Sequence, residues 1–469
     1  MMLTSLSTLR MFPLSAFRRS LAVFVLVTAL VVLPPRRAKA ESLVDSKVMY
    51  YFEGGDRISV ISPTVTLQQE LESGLTIKIE GIYNAISGAT PTGAPPRAKT
   101  TTTRATPVSS VGGSGGGGSG GGSPVGDDGD DDDEREFESV GVRASGGLAP
   151  GYYSALSAAT PAPAPSPPPV SGAGGGGGGG GGGSATTTTE GGSEVPTSDF
   201  SDERIGVSLS LSKRLGSHTP SLQLSYSDEN DYLSLGIGLL DSVDFNKKNT
   251  TFTYGGAYTY DTLEPANGQP NGTKRTIDGM VGLTQVLTPT TLFTLNLAAG
   301  RAEGLLTDPY KVVELNGVLV PEKRPDSKTK TIGYLALNQF VTPLDGAVEL
   351  SFRHYTDSFG INAETLGLTW FQKIGNRFVL SPRVRYYDQT EADFYAVTFS
   401  GSPEYYSADY RVSALTAISY GLKAIWTPNS RCSFDLEYGR YDQKGSDGVT
   451  SQDAYPQATL ILAGVRIWL

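Results

Sequence analysis

The chain has 469 residues, of which 38% are hydrophobic and 18% charged, and its formal net charge is −10. A single cysteine excludes an internal disulfide and a cysteine-based metal centre, and two histidines argue against a histidine-rich one. The acidic balance excludes binding to nucleic acid by counterion release. We therefore expect neither a metal site nor a nucleic-acid partner.

Residues 1–40 have the three parts of a secretory signal peptide. Three arginines within residues 10–19 form a basic region, residues 20–33 form an apolar core, and residues 38–40 read Ala-Lys-Ala, a cleavage site. The core is shorter than the ~20 apolar residues that a membrane-spanning helix needs. We predict export and cleavage near Ala40.

Composition divides the remaining chain into three parts. Residues 41–90 and 200–469 carry alternating apolar and polar side chains in blocks of about ten, which indicates strands. Residues 91–199 instead hold Gly-rich runs, the acidic run 127–138 and a proline-rich stretch. Because such a segment cannot bury enough apolar surface to offset its ordering entropy, we predict a disordered loop there.

Short and longer connections alternate between the strand-like blocks, and sixteen strands can be counted back from the C-terminus. This pattern is typical of an outer-membrane barrel, whose periplasmic turns are short. We predict an all-β fold, a transmembrane antiparallel up-and-down β-barrel of about 16 strands, with 14 as the alternative. A soluble β-sandwich or solenoid in the periplasm is the rival. Strand parity places the loop 91–199 outside the cell.

The last strand, residues 459–469, alternates apolar outward residues and ends next to Trp468. It resembles the terminal signal that the barrel-assembly machinery reads. We therefore expect two partners during and after biogenesis, that machinery and outer-membrane lipid, and we expect the protein in the outer membrane of a Gram-negative envelope.

One face of the predicted strands is apolar and the other carries charge. The lumen-lining candidates are Lys78, Glu80, Arg214, Glu349, Arg353, Arg383, Arg385, Lys423, Asp435, Glu437 and Arg466. Charges of both signs in a lumen either line a water-filled pore or pair with each other and block it. Arg383 and Arg385 face the same way on one strand, which favours an anionic permeant; paired structural charge is the alternative.

Several stretches resemble, in order along the chain, an uncharacterised bacterial outer-membrane family, domain of unknown function 3570. They are residues 54–63, 85–95, 227–236, 308–317, 324–327, 351–361, 380–395, 407–414 and 455–469. The resemblance implies an outer-membrane barrel whose genes tend to lie near those of periplasmic flavin transferases and thioredoxin-like proteins. This gene neighbourhood implies a small secreted redox protein as a candidate partner. The family supplies no active site, so no catalytic residue is carried over.

The sequence Ser87-Gly88-Ala89-Thr90 resembles the acceptor motif of flavinylated proteins, in which the last hydroxyl carries FMN through a phosphoester bond. That chemistry needs the Thr90 hydroxyl on an accessible, flexible turn. Asn84 stands where the motif has an acidic residue, and strand parity places Thr90 far from a periplasmic transferase. An ordinary strand-to-loop turn is the alternative. We expect no cofactor, with FMN on Thr90 as the alternative.

No nucleophile pattern accompanies either histidine, so we predict no enzyme. The leading hypothesis is a non-enzymatic pore or conduit. The alternatives are a barrel scaffold for a redox or flavin-linked envelope partner, involved in electron transfer, and a surface-display module. We also expect residues 97–198 to be dispensable for folding, since lengthening a loop adds closure entropy only logarithmically.

Overall fold

The structure, a computed structural model, describes residues 42–55, 57–103 and 186–469. Sixteen antiparallel strands close into one barrel, in which each barrel strand pairs with the next and the last pairs with the first. The predicted all-β barrel and its strand number are confirmed. Within the described residues, no helix is long and apolar enough to cross a membrane. The predicted signal peptide, residues 1–40, lies outside the described residues.

The barrel strands are β1 (Ser42–Glu53), β2 (Ser59–Glu70), β3 (Leu75–Pro91), β6 (Thr197–Lys213), β7 (His218–Asp228), β8 (Tyr232–Phe245), β9 (Thr250–Leu263), β10 (Gly272–Thr288), β11 (Thr291–Gly304), β14 (Ser327–Val341), β15 (Gly346–Asp357), β16 (Asn362–Ile374), β17 (Phe378–Gln389), β19 (Leu415–Asn429), β20 (Cys432–Gly445) and β21 (Gln457–Trp468). Outside the barrel lie β4 (Arg97–Thr103), β5 (Thr186–Glu194), β12 (Val312–Leu315), β13 (Val318–Pro321) and β18 (Thr398–Phe399).

Alternation along each strand gives the barrel an apolar outer face and a polar inner face. On β6 the side chains of Ile205 and Val207 point outward and are exposed, whereas that of Arg204 points inward and is buried. The apolar side chains remain exposed because a single-layered barrel has no second sheet to cover them. This is the arrangement of a barrel surrounded by lipid.

The two ends of the barrel differ. At the end that we call the turn end, seven connections of two to four residues join the strands, and the first and last strands begin and finish there. At the opposite end, the loop end, three of the connections are long, residues 92–196, 305–326 and 390–414. Phe378, Trp426 and Phe434 form a stacked row on the outer face at the turn end, with ring centroids 6.2 and 5.5 Å apart. Aromatic rows of this kind mark a membrane interface.

The predicted disordered loop 91–199 begins and ends in paired strands. Strand β3 runs to Pro91 and β6 begins at Thr197, so the connection is residues 92–196. Within it, β4 pairs antiparallel with β5. The threonine-rich residues 97–103 and 186–194, the margins of the loop, have too little alternation of apolar and polar side chains to predict this pairing. Residues 104–185, with the acidic run, lie outside the described residues.

Because β4 pairs with β5, the segment that we expect to be dispensable is shorter than residues 97–198. Deleting residues 104–185 is expected to leave a heat-modifiable barrel, because it spares β4, β5 and Val195, which packs against the buried Tyr410. Deleting residues 97–198 removes Val195 and the first residues of β6, and is expected to reduce the yield of assembled barrel. Gel mobility with and without heating measures both. Equal yields from the two deletions would show that the margins have no structural role.

Candidate functional site

The inner face of the barrel holds the charges that the sequence singled out. The register places Lys78, Glu80, Glu349, Arg353, Arg383, Arg385, Lys423, Asp435, Glu437 and Arg466 on inward positions, and Arg214 in the turn after β6. Arg214 pairs there with Asp244 at 2.8 Å. Alternation thus brings these side chains together in one lumen from strands far apart in sequence.

Most of these charges meet an opposite charge on the same strand or on a strand one or two places away. Arg383 forms an ion pair with Glu437, and Lys423 Nζ lies 3.4 Å from Asp435 and 4.0 Å from Glu437. Lys78 and Glu80 pair at 3.1 Å. The structure therefore places Arg383 in paired structural charge, the alternative to an anion-binding role.

Solvent reaches these pairs unevenly along the barrel axis. Nearer the turn end, the side chains of Lys78 and Arg466 are 31% and 41% exposed. At the loop end, Lys328 pairs with Asp357 at 2.9 Å, and their side chains are 9% and 0% exposed. The inner charged pairs are therefore more exposed towards the turn end, while other residues cover the inner face at the loop end.

This cover consists of two of the long loops, residues 305–326 and 390–414, which we call the cap. Strands β12 and β13 of the first loop and β18 of the second form one three-stranded sheet. Phe394 and Val412 of the second loop belong to the same buried apolar cluster as Met280 and Tyr355 of the inner barrel face. The second loop therefore folds into the barrel mouth instead of extending away from it.

A group of six charged residues, five of them buried and Arg324 partly buried, joins the two loops of the cap. We call it the cap cluster; its members are Asp308, Lys311, Glu322, Arg324, Asp409 and Arg411. It holds three acids and three bases, so its formal charge is zero. Charges buried together are stable only if each is paired and hydrogen-bonded.

Arg411 is the centre of the cap cluster. Its guanidinium lies 2.6 Å from Asp308 Oδ2 and 2.5 Å from Asp409 Oδ2, and its Nε also donates to Asp409. Burial alone would raise the pKa of Asp409, but the cations Arg411 and Arg324 outweigh burial and hold that pKa well below its usual range. The pair Asp308 and Arg411 joins the first loop to the second.

Arg324 and Glu322 supply a second connection between the loops. Arg324 lies 2.6 Å from Glu322 Oε1 and 2.7 Å from Asp409 Oδ2. The hydroxyl of Ser407 donates to Glu322 at 2.5 Å. Together with the Arg411 pairs, these ion pairs join the two loops at several points.

Barrel and neighbouring loops fix the cap in place. The Gln389 side chain, at the end of β17, donates to the carbonyl oxygens of Arg411 at 2.9 Å and Ser413 at 2.8 Å. From the first loop, Lys311 donates to the carbonyl oxygen of Pro91 at 2.5 Å, and Tyr310 donates to Asp231. The cap therefore contacts β3, the β7–β8 connection and β17, which are distributed around the barrel mouth.

Lys311 gives the cap a specific pH response. Burial, followed by the like charge of Arg411, lowers the pKa of its ammonium group from 10.5 to about 8. Between these two values an opened cap binds the proton and the closed cap does not, so closing is favoured more strongly as pH rises through that window. The charged groups that face this ammonium group are Arg411, Asp409, Asp308 and Glu322.

We expect the open fraction of the protein, measured as mean current in a planar bilayer, to fall as pH rises from 7.5 to 10. Lys311→Met removes the titrating group and is expected to flatten this dependence. Lys444→Met, at an exposed lysine on β20, is the matched control that keeps it. An unchanged slope in Lys311→Met would assign the pH response to another group.

The structure places Thr90 within β3, with its side chain fully buried, and not on the accessible turn that flavinylation would need. Gly88 is held by close packing: a Cβ there would lie 2.2 Å from the carbonyl oxygen of Arg57. Asn84 is buried as well and accepts a hydrogen bond from Ser62 at 2.7 Å. In the folded barrel this segment offers a transferase no access to the Thr90 hydroxyl.

Sequence reasoning missed the cap cluster, although the signal was present. Asp308 and Lys311 lie in the family-like stretch 308–317, Arg324 begins the stretch 324–327, and Asp409 and Arg411 lie in 407–414. These stretches have no strand periodicity, so the alternation that locates a lumen residue could not locate them. Charged residues in non-periodic stretches that match the family were the available indication.

The sequence matches one family model, described as Protein of unknown function (DUF3570), over residues 19–273 and 266–465. The chain belongs to this family. The match covers fifteen strands of the DUF3570 barrel in full, β21 up to residue 465, and both loops of the cap. A comparison with curated proteins gives no significant match.

Solved structures similar to this barrel include three bacterial proteins. They are the ferric enterobactin receptor of Pseudomonas aeruginosa (12% identity, TM-score 0.39, 92% of this chain and 60% of the receptor), CdiB from Acinetobacter baumannii (6%, 0.42, 91% and 60%) and OccK2 of Pseudomonas aeruginosa, solved with glucuronate (7%, 0.38, 92% and 98%). This chain spans about 60% of the length of the first two.

Proposed function

We propose that this DUF3570 protein is a non-enzymatic outer-membrane conduit for small polar solutes, and that the cap closes its loop end in the conformation described here. The observation that carries the proposal is the contrast along the lumen, which is polar and solvated towards the turn end and covered by infolded loops at the other. A barrel of sixteen strands is wide enough to leave an aqueous channel where its interior is not filled.

The proposed orientation follows from the two ends. Short turns face the periplasm in bacterial outer-membrane barrels and longer loops face outward. We therefore place the turn end in the periplasm and the cap at the cell surface, where it would control entry from outside. Protease added to intact cells is then expected to cut the full-length chain between Arg97 and Arg143, and protection of that segment would reverse the orientation.

Planar-bilayer recordings of the refolded full-length protein test conduction. We expect infrequent, discrete openings, because the cap cluster must separate before the loop end clears. Arg411→Gln serves as the companion variant, since it weakens the closure and leaves the barrel wall unchanged. No current at any voltage from either protein would overturn the conduit.

The solvated turn end also favours a second candidate, a scaffold that receives a small secreted redox partner in its lumen. Such a partner would enter from the side where the charged pairs are half-exposed, such as Lys78 and Glu80. Co-purification from the native membrane separates the two functions, since a conduit needs no partner. A stoichiometric haem- or flavin-bearing protein in the purified sample, together with no current, would favour the scaffold.

A further inference from the structure

The inner wall of the lumen has two chemically different halves. On β6 to β9, most inward side chains in the middle of the barrel are small and neutral. On β10 the neutral Thr276 is followed on the inner face by Asp278, which pairs with Lys330 at 3.1 Å. We call this surface the hydroxyl wall; it consists of Ser208, Ser210, Ser225, Ser227, Ser234, Gly236, Ala257, Thr259 and Thr276. None of these side chains carries charge, and most offer a hydroxyl group.

The opposite half is charged or filled. Met49, Leu460 and Leu462 form a buried apolar cluster on the inner faces of β1 and β21. Next to it, Glu437 is buried between Arg383 and Lys423. Large side chains therefore occupy this half of the lumen, and its charges compensate one another locally.

Individual inward serines differ in accessibility. Ser225, on the inner face of β7 towards the loop end, is exposed to solvent, whereas Ser221, nearer the turn end of the same strand, is 4% exposed. In the charged half, the inward serines Ser381 on β17 and Ser419 on β19 are 4% and 5% exposed. The lumen is therefore open beside Ser225 and filled beside Ser381 and Ser419.

Glycine contributes to this opening at one position. A Cβ on Gly236 would lie 2.3 Å from the Oγ atom of Ser225, so any larger residue there would displace the serine hydroxyl into the lumen. Towards the loop end the wall finishes at an ion pair, Lys274 with Asp261, at 3.2 Å. From Ser225 the wall thus reaches the underside of the cap without an uncompensated charge.

We propose that solutes move along the hydroxyl wall, and that the preferred class is neutral, hydroxyl-bearing molecules. The inference rests on the proposed conduit and adds its path and its substrate class. Serine and threonine hydroxyl groups both donate and accept, so they can replace the water lost by a polyol hydroxyl. An ion gains less, because the charges opposite are already paired with one another.

Thiol labelling tests the path without requiring conduction. In a Cys432→Ser background, Ser225→Cys and Ser419→Cys place matched thiols on the two halves. A water-soluble methanethiosulfonate reagent is expected to modify the first about tenfold faster, since reaction follows exposure. In the bilayer, modification at position 225 should reduce the current and treatment of the position 419 variant should not. Equal labelling rates would overturn the path.

Flux into liposomes tests the substrate class. Sorbitol and gluconate have the same carbon chain and differ in charge, and sorbitol is expected to enter several-fold faster through Arg411→Gln protein. Gluconate entering as fast or faster would overturn the class. If neither solute enters while Ser225→Cys still labels faster, the conduit fails and the open wall stands, so the two proposals can be separated.

Discussion

Replacing Arg411 with glutamine is expected to raise the open fraction of the channel roughly a hundredfold or more. The substitution leaves Asp308 and Asp409 buried without the guanidinium that both contact, and removing one partner of a buried ion pair costs about 3–5 kcal/mol. That cost falls on the closed cap alone, because an opened cap exposes both carboxylates to water. The measurement is the mean current per inserted channel in planar bilayers.

Arg301→Gln is the matched control for this prediction. Arg301 pairs with Glu303 on the outer face near the same end, with side chains 60% and 55% exposed. Exposed pairs contribute little to stability, so the current should stay at the wild-type level. Heat-modifiable mobility of both variants would show that the barrel itself remains folded. An Arg411→Gln channel that opens no more often than Arg301→Gln would show that the cap cluster does not control closure.

Exchanging single charges in the lumen is expected to shift the ion preference of the open channel, because an unbalanced charge in the charged half acts across the lumen on ions that pass along the hydroxyl wall. Glu437→Gln leaves Arg383 and Lys423 with only Asp435 as counter-charge and should favour anions several-fold. Arg383→Gln leaves the carboxylates in excess and should favour cations. Reversal potentials under a salt gradient measure both shifts, and the two must have opposite signs.

The control for the lumen charges is Arg440→Gln. Arg440 lies on β20, like Glu437, but points outward, where it donates to Thr459 at 2.6 Å. Its replacement should leave the reversal potential unchanged. Shifts of the same sign in Glu437→Gln and Arg383→Gln would indicate that these charges do not set the ion preference of the channel.

The barrel and the lumen charges could be predicted because a strand gives its side chains a period of two. Once Phe434, Leu436 and Tyr438 are recognised as the outward set, Asp435 and Glu437 must point inward whatever their partners are. Alternation does not identify the partners, since these depend on register. The pairing of Glu437 with Arg383 on a strand two places away was therefore not foreseen.

The cap could not be predicted for a different physical reason. Asp308 and Arg411 are 103 positions apart in connections that lack any periodic pattern, and nothing local indicates that either connection turns inward. The sequence predicted only longer connections there, whereas Lys311 and Asp409 are each only 1% exposed in the structure. Similarly, the small neighbours of Thr90 suggested an accessible turn, although they allow close packing of β3 against Arg57.

A reversible disulfide between the two loops of the cap tests most directly whether these loops separate to open the conduit. Glu314 of β12 and Thr398 of β18 are register partners in the cap sheet, and strand neighbours lie within the Cα separation that a disulfide spans. Cysteines at both positions are introduced into Arg411→Gln, Cys432→Ser protein, and current is recorded before and after oxidation. We expect oxidation to abolish the channel openings and reduction to restore them. Openings that persist in fully oxidised protein would contradict the claim that the cap loops separate to open the conduit.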